Sequence, residues 1–333
     1  MSERNGGLVH VRTPTYKRPD ALKRALGTMI AQDWQHWVCD VFDDDPNRSG
    51  EAAVLALGDP RIRYNHNVPQ RFASRNIDQC FSAGNEHGAD YFCVVEDDNF
   101  LLPGFFADNI ALCREQDVAV VLRNQLIEHA SGTDHARLST GGVLDQLFVD
   151  GRYLPEDFRL SLLIGIGVSN GGLFWSRDTT CQLEIGYPCT ATLQEYMRTF
   201  SICEPVYVAM TPRAVWAENA EQTTRNAELK VSYTRRELDL KRAVQALQRM
   251  AWKSTPKERR DHFLTSPLFA ADAASRSKGL AKALIVHGAS GDLPAGEALR
   301  LRARGLMIRM LGQLTPDFAP FVRSRQQTAA AQR

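Results

Sequence analysis

Three adjacent carboxylates, Glu96, Asp97 and Asp98, directly follow an apolar run at residues 91–95. Adjacent acids repel one another, so they are costly beside a buried strand unless water or a cation surrounds them. Carboxylate oxygens that leave room for water are the ligands that Mg²⁺ and Mn²⁺ prefer. The run alone fits a solvated loop as well as a metal site, but its position after a strand favours the metal site.

A second acid run, residues 43–45, follows another apolar segment at residues 37–42. The EF-hand calcium pattern fails there, because Arg48 replaces the required glycine and Val54 replaces the bidentate glutamate. A carboxylate at the end of a second strand can instead accept a hydrogen bond from the N–H of a nucleotide base. The alternative is a turn whose acids cap the next helix, and for Asp45 this alternative remains open.

These acids need elements that bring them together, and roughly the first 100 residues predict such elements. Apolar segments alternate with amphipathic helices in the order β-α-β-(α)-β-α-β; Pro19 opens the first helix, and a later helix is predicted to end near Gly88. This alternation is typical of a mostly parallel sheet covered by helices, whose ligands bind beyond the carboxyl ends of the strands. The loops at residues 13–18, 43–47 and 96–99 are therefore expected to meet at one crevice.

The composition of the 333-residue chain, 44% hydrophobic and 24% charged, is that of a soluble globular protein. Its apolar runs are far shorter than a transmembrane helix, and the polar start "MSERNGG" lacks the apolar core of a secretion signal. The seven cysteines include no C-x-x-C pair, which argues against a zinc ribbon and a disulfide framework. We expect a cytoplasmic protein with reduced thiols.

The glycine-rich segment "GIGVSNGG", residues 165–172, partly resembles a dinucleotide-binding fingerprint. It lacks a clear preceding strand, an amphipathic helix opening on it and the correct glycine spacing. A nicotinamide dinucleotide is therefore not expected.

Charge is divided unevenly along the chain. Residues 223–333 carry 21 Lys/Arg and 9 Asp/Glu, whereas the rest carries 19 and 30. Helical periodicity dominates this basic part, in which Arg300, Arg302, Arg304 and Arg309 alternate with Leu and Met. A basic surface could meet an anionic membrane, an acidic partner or nucleic acid, or it could pack against the acidic part of the chain.

Several segments match one family in chain order. The segments "VRTPTYKRPDALKRALGTMIAQDW", "CDVFDDDPN", "ASRNIDQCFSAGNEHGADYFCVVEDDNFLLPGFF", "GGLFWSRD" and "LQEY" resemble the family-2 glycosyltransferases with the GT-A fold. They resemble, in turn, that family's first strand, loop and helix, its second strand, its Ala-Arg-Asn helix with the DxD motif, its acceptor-side strand and its acidic helix motif.

The resemblance covers roughly residues 8–225. It implies an α/β fold of the GT-A (Rossmann-like) type, with a mostly parallel central sheet flanked by helices. We therefore expect a GT-A glycosyltransferase domain at residues 1–225 and a basic helical C-terminal region at residues 226–333.

The resemblance also implies site residues. Glu195 matches the family's catalytic base, Asp98 its metal-binding aspartate, and Glu96 the usual first aspartate, which we expect to act on the metal through water. Asp97 is expected to face the donor sugar. The residues expected to contact the nucleotide are Pro14, Thr15, Tyr16, Arg18, Asp43, Asp44, Arg75 and Asp97.

Two departures from the family pattern leave alternatives open. Glu195 is followed by Tyr196 where the family usually has aspartate, so an ordinary exposed helix glutamate is the alternative to a base. The family's late metal-binding histidine is replaced by Glu218 or Asn219. Trp175 could stack on an acceptor sugar or could simply belong to the core.

The resemblance implies an inverting, metal-dependent glycosyltransferase that uses Mn²⁺ or Mg²⁺. It would move one sugar from a nucleotide-sugar donor, UDP-linked by expectation, to a glycan, lipid-linked or other small acceptor. The basic C-terminal helices could contact the inner face of a membrane, and nucleic acid is not an expected partner. The alternative function is a GT-A-like protein that binds a nucleotide sugar or a partner without catalysis. A nucleotidyltransferase is disfavoured because "TPTYKRP" lacks the glycines of a phosphate loop.

Overall fold

A computed structural model of the chain describes residues 6–219 and 230–331. The strands are Val9–Thr15 (β1), Trp37–Asp43 (β2), Ile62–His66 (β3), Tyr91–Val94 (β4), Phe100–Leu101 (β5), Val120–Ser131 (β6), Arg137–Gly142 (β7), Gly151–Tyr153 (β8), Leu173–Ser176 (β9) and Val206–Asn219 (β10). The helices are Pro19–Ile30 (α1), Glu51–Leu57 (α2), Phe72–Gln79 (α3), Phe105–Glu115 (α4), Pro155–Leu160 (α5), Ala191–Ser201 (α6), Lys230–Ser254 (α7), Lys257–His262 (α8), Ala273–Leu284 (α9), Ala295–Leu311 (α10) and Phe318–Ala331 (α11).

The strands among the described residues form one ten-stranded sheet whose main path is β3-β2-β1-β4-β9-β6-β10-β5. The pairs β3–β2, β2–β1 and β1–β4 are parallel, and so is β6–β10. Strand β9 runs antiparallel to both of its neighbours, β4 and β6. Strands β1, β2, β3, β4, β6 and β10 therefore share one direction, which confirms the prediction of a mostly parallel sheet.

Alternation along each strand divides the core between the two faces of the sheet. Every residue of β1 is buried. Val9 and Val11 pack on the face covered by α1 and α4, whereas Phe92 and Val94 of β4 pack on the opposite face with the phenylalanines near α5. Helix α1 begins at Pro19, as predicted, since proline fits the first helical turn.

The prediction that a helix ends near Gly88 is wrong, because α3 ends at Gln79. The buried guanidinium of Arg12 accounts for the difference. It donates hydrogen bonds to the carbonyl oxygen of Ser82 at 2.6 Å and of Cys80 at 3.2 Å, and to that of Gly84. These carbonyl groups face the guanidinium, so the backbone leaves the helical path there.

The C-terminal helices pack against the rest of the fold. One apolar core joins α6, α7 and α11; its buried members include Leu193, Met197, Phe200, Ala243, Leu247 and Phe318. The expected boundary at residues 225 and 226 lies outside the described residues. None of the helices in the described part combines the length and apolarity needed to cross a bilayer.

Candidate active site

The loop at residues 96–99, here called the acid loop, lies beside the loop that follows β1, because β1 and β4 are neighbouring parallel strands. Thr15 Oγ1 donates a hydrogen bond to Asp97 at 2.8 Å. Arg18 Nη1 lies 2.5 Å from Asp98 Oδ2 and 3.4 Å from Asp97 Oδ1. Two residues expected at the nucleotide therefore contact the carboxylates expected at the metal and the sugar.

The loop after β2 reaches the same place. The backbone N–H of Asp44 donates to the carbonyl oxygen of Thr15 at 3.0 Å. Asn76 Nδ2 donates to that carbonyl at 3.3 Å and to the carbonyl of Phe42 at 3.1 Å. The three loops that the sequence predicts to converge are therefore in contact, and Asn76 of α3 links two of them.

Asp43 and Asp44 are both buried, and both accept hydrogen bonds from the protein itself. Asp43 Oδ2 accepts from the Gly50 amide and from the Tyr64 hydroxyl, each at 2.9 Å. Asp44 accepts from the two backbone amides of residues 71–72, each at 2.7 Å, where α3 begins. These contacts support the turn-and-cap interpretation of both carboxylates. Recognition of a base by either of them stays a prediction.

The other residues expected at the nucleotide differ in exposure. Pro14 is buried within β1. The Tyr16 side chain is 44% exposed, while its backbone N–H donates to Asp97 at 3.3 Å. Arg75 lies exposed on α3. Tyr16 and Arg75 are therefore open to solvent, whereas Pro14 is not.

Glu195 of α6 meets the acid loop through one residue, Asn170. The backbone N–H of Asn170 donates to Glu195 Oε1 at 3.4 Å, and its Nδ2 donates to Glu96 Oε1 at 3.2 Å. The predicted base and the first predicted metal-site acid therefore share one partner, although 99 positions separate them in the sequence.

Arg198 holds Asn170 in place. Its side chain is fully buried, and it donates to Asn170 Oδ1 at 2.8 Å and to the carbonyl oxygen of Leu183 at 3.0 Å. Asp78 compensates the charge at 2.6 Å, and the guanidinium lies 3.7 Å from the centre of the Phe81 ring. Neither Asn170 nor Arg198 is among the residues predicted from the sequence. Arg198 could have been found from its position one helical turn after Glu195, because residues at that spacing lie on the same face of a helix.

The glycine-rich segment has a packing function around Asn170. A Cβ at Gly172 would lie 2.4 Å from the carbonyl oxygen of Arg123 on β6. Only glycine allows this turn to lie directly on β6. The turn fixes the backbone of Asn170, so these glycines support the site rather than a dinucleotide.

Three carboxyl groups at this site have raised pKa values. Burial raises the pKa of Glu96 to about 8, with the nearby charges of Asp98 and Glu195 acting in the same direction. Burial and Asp98 raise the pKa of Asp97 to about 7. Burial raises the pKa of Glu195 to about 7. Such a cluster disfavours further negative charge, and a bound cation would offset the repulsion among its carboxylates.

Glu195 lines an open cavity of about 590 Å³. Its lining is mainly apolar and includes Val143, Leu144, Leu147, Val168 and Trp216. Trp216 on β10 is 39% exposed, and the next residue along, Ala217, donates its N–H to Asn99 of the acid loop at 2.9 Å. The cavity therefore adjoins both the predicted base and the acid loop.

Trp175 occupies the core rather than this cavity. It is 4% exposed and stacks on Phe81 and Phe92, with ring centres 5.5 and 5.9 Å away. Of the two interpretations given to Trp175, these contacts support the core aromatic. They leave little ring surface for a sugar, whereas the exposed Trp216 lines the same cavity as Glu195.

The residues expected to complete a metal shell are placed as follows. Glu218 is exposed and lies 2.6 Å from His129 Nδ1. The side chain of Asn219 lies outside the described residues. The carboxylates of the acid loop, whose charge Arg18 partly compensates, suit a cation whose coordination shell is completed by water and phosphate oxygens.

Among the described side chains, three atoms of metal-binding type lie within 4.8 Å of one another at His10, Asp40 and His87, where the contacts are ordinary hydrogen bonds of 2.8 Å.

The overall arrangement recurs in solved structures. S. aureus TarS residues 1–349 covers 97% of this chain with a TM-score of 0.50 at 11% identity, over 88% of its own length. The complex of the same TarS fragment with UDP-GlcNAc gives 0.54, again over 97% of this chain and at 11% identity, and over 92% of its own length. These likenesses concern the fold. The prediction of an α/β fold of the GT-A type, with a mostly parallel sheet, flanking helices and a helical C-terminal region, is confirmed.

Sequence comparison adds one relative. WcaA of Escherichia coli strain K12, whose name is that of a colanic acid biosynthesis glycosyl transferase, is 27% identical over 130 residues. That match spans 38% of this chain and 42% of WcaA. No protein-family model matches the chain.

Proposed function

We propose that this chain is an inverting, metal-dependent glycosyltransferase that moves one sugar from a nucleotide-sugar donor to an acceptor hydroxyl. The observation that carries the proposal is the bridge through Asn170, which joins Glu195 in the cavity lining to Glu96 of the acid loop. Transfer to a hydroxyl needs a base on the acceptor side and charge compensation on the donor side, and the bridge couples the two. The likeness to WcaA supports sugar transfer.

On the donor side, UDP is the proposed nucleotide, which the fold shared with the UDP-GlcNAc complex of TarS supports. Mn²⁺ or Mg²⁺ would be held directly by Asp98 and through water by Glu96. When bound, the ion would offset the charge of the departing diphosphate. Asp97 fixes the β1 loop by accepting hydrogen bonds from Thr15 and from the Tyr16 amide.

On the acceptor side, Glu195 is the proposed base. Its pKa of about 7 suits removal of a hydroxyl proton at neutral pH. Trp216 offers an exposed ring on which the apolar face of a sugar can stack. The apolar cavity lining is suited to a glycan, a lipid-linked or another small acceptor.

UDP release from a panel of UDP-sugars tests the proposal, with Mn²⁺ or with EDTA. We expect EDTA and Asp98→Asn each to abolish release. Glu195→Gln should lower the rate of transfer by roughly 10²- to 10⁴-fold while donor binding stays intact. Glu115→Gln, an exposed change on α4, is the matched control and should behave as the wild type.

The same assay separates the alternative function. Donor binding without turnover of any sugar would favour a nucleotide-sugar-binding protein without catalysis. Absence of donor binding would contradict both functions. Turnover that is insensitive to EDTA and to Asp98→Asn would contradict the metal-dependent mechanism. Trp216→Ala should raise the KM for acceptor without changing donor binding; an unchanged acceptor KM would contradict stacking on Trp216.

Contact with a membrane is proposed through α10. Leu299, Leu306 and Met310, spaced seven and four residues apart, lie on one face and are 69%, 45% and 74% exposed. Arg300 and Arg304 of the same helix are exposed as well. The opposite face of α10 is buried against the protein, so the helix is apolar on two sides. An exposed apolar stripe beside arginines complements an anionic bilayer.

A further inference from the structure

Two cysteine thiols lie in contact at the ends of the segment that carries α6. Cys181 follows β9 and Cys203 precedes β10. Their Sγ atoms are 3.6 Å apart, and the backbone N–H of Cys203 donates to Cys181 Sγ at 3.3 Å. Both residues are 7% exposed. The sulfur atoms need to approach by only about 1.5 Å to reach the disulfide bond length of about 2.05 Å.

Cys203 differs from the other cysteines in the pKa of its thiol. The hydrogen bond that it shares with Cys181 lowers the pKa of Cys203, and burial only partly opposes this effect. The same hydrogen bond and burial raise the pKa of Cys181. The Thr180 hydroxyl, 3.7 Å from Cys203 Sγ, acts in the same direction as Cys181. Burial raises the pKa of Cys39 and Cys189 to about 12, so both remain protonated thiols at neutral pH.

Small molecules can approach the Cys181 thiol, and Cys203 Sγ lies 3.6 Å from this thiol. Cys181 lines an open cavity of about 170 Å³ together with Phe81, Trp175 and Leu183. The cavity is several times the roughly 30 Å³ that one water molecule occupies in the liquid, so hydrogen peroxide fits.

We propose that Cys181 and Cys203 form a reversible disulfide when the protein meets hydrogen peroxide. The Cys203 thiolate attacks one peroxide oxygen and breaks the O–O bond, which gives a sulfenic acid and hydroxide. The Cys181 sulfur then attacks the sulfenic sulfur and loses its proton, and the hydroxyl leaves as water. Two thiols and one peroxide thus become one disulfide and two waters, and a thiol reductant restores both cysteines.

The bond would join the two ends of the segment that contains Glu195 and Arg198. Oxidation would then limit how far α6 can separate from the sheet. The inference is independent of the proposed sugar transfer, because it rests on the two sulfur atoms and their surroundings alone.

Peptide mapping of the full chain by mass spectrometry without reductant tests the proposal. After treatment with dilute hydrogen peroxide we expect a peptide linked through Cys181 and Cys203, lighter by two hydrogens, that dithiothreitol separates. In Cys181→Ser, dimedone should trap a sulfenic acid on Cys203. Cys189→Ser is the matched control and should still form the linked peptide.

Absence of the linked peptide in the wild-type protein would overturn the proposal. Oxidation of Cys39 or Cys189 as fast as that of Cys203 would overturn it too. The wild-type map decides the question even where a serine variant fails to fold.

Discussion

Burial raises the pKa of Glu195 to about 7, and this one value links the geometry of the site to its expected chemistry. A base must be deprotonated before it can accept a proton. The acceptor-side function of Glu195 is therefore available above about pH 7 and is lost below it.

The first prediction concerns the pH dependence of transfer. The rate should rise about tenfold per pH unit up to about pH 7 and then level off, because only the ionised fraction of Glu195 is active. Glu195→Gln should lower the rate by roughly 10²- to 10⁴-fold and remove this limb. Initial rates between pH 5.5 and 8.5 measure both effects. A flat profile in the wild type, or an unchanged limb in Glu195→Gln, would show that another group is the base.

The second prediction concerns stability at Glu96. The pKa of Glu96 is raised to about 8 in the folded state, so its protonated form is favoured there. The contribution of Glu96 to the free energy of unfolding is fully present below its unfolded-state pKa of about 4.3, and it is lost as the pH rises through about 8. Glu96→Gln keeps the neutral form at every pH. The variant should be more stable than the wild type at pH 8, by on the order of 1–3 kcal/mol.

Urea unfolding in EDTA at pH 5 and pH 8 measures this difference. The gain from Glu96→Gln should be small at pH 5 and larger at pH 8, while transfer activity falls. Glu115→Gln, exposed on α4, should show neither change. A Glu96→Gln variant that is less stable than the wild type at pH 8 would refute the assignment of burial as the cause.

At the scale of elements, the strands and the convergence of their loops could be predicted from local patterns. Apolar runs ending in acids mark the carboxyl ends of β2 and β4, and parallel pairing brings those ends together. The premature end of α3 could not be predicted in this way. It depends on Arg12, about 70 residues earlier, whose guanidinium takes the carbonyl oxygens beyond Gln79.

The bridge that Asn170 forms between Glu96 and Glu195 could not be predicted from the sequence for the same reason. Asn170 lies in a glycine-rich turn without regular periodicity, and its partners come from the acid loop and α6. Arg198 is an ordinary helix residue in the sequence, and its complete burial follows only from packing against Phe81 and Asp78. Contacts of this kind are set by tertiary packing, which a local pattern does not encode.

The third prediction tests Arg198. Arg198→Gln and Arg198→Lys should both destabilise the fold, by about 3–5 kcal/mol for Arg198→Gln, which leaves Asp78 buried without a countercharge. The positive charge of Arg198 also lowers the pKa of Glu195. Arg198→Gln should therefore move the ascending pH limb above pH 7, whereas Arg198→Lys keeps the charge and should leave it near pH 7.

Urea unfolding and pH–rate profiles give the two readouts separately. Arg177→Gln, a change at an exposed pair with Asp90, is the control and should alter neither. If Arg198→Gln and Arg198→Lys shift the ascending limb of the pH–rate profile equally, loss of packing rather than loss of charge changes the pKa of Glu195.

At the scale of the whole molecule, charge and exposed apolar surface are combined in the C-terminal helices. Residues 223–333 carry 21 basic and 9 acidic residues. The sequence predicted an amphipathic α10, but not its orientation. The structure exposes Leu299 and leaves Leu301 half-buried. Burial of Ala298, Gly305 and Ile308 against the protein selects which apolar face is left open.

The fourth prediction follows from that open face. The protein should sediment with vesicles that contain anionic phosphatidylglycerol and should not sediment with purely zwitterionic phosphatidylcholine vesicles. Binding should weaken as NaCl rises, because arginine contacts with headgroups are screened over about 8–10 Å at 0.1–0.15 M salt.

Leu306→Ser combined with Met310→Ser should abolish binding by removing apolar contact. Arg300→Gln combined with Arg304→Gln should weaken binding by roughly 2 kcal/mol, since each basic residue near such a surface contributes about 1 kcal/mol.

Lys257→Gln on α8 is the charge control. Equal binding to both kinds of vesicle would contradict the electrostatic part of the proposal. A dimer in sedimentation velocity that the Leu306→Ser/Met310→Ser variant dissociates would instead assign the stripe to a second copy of the chain.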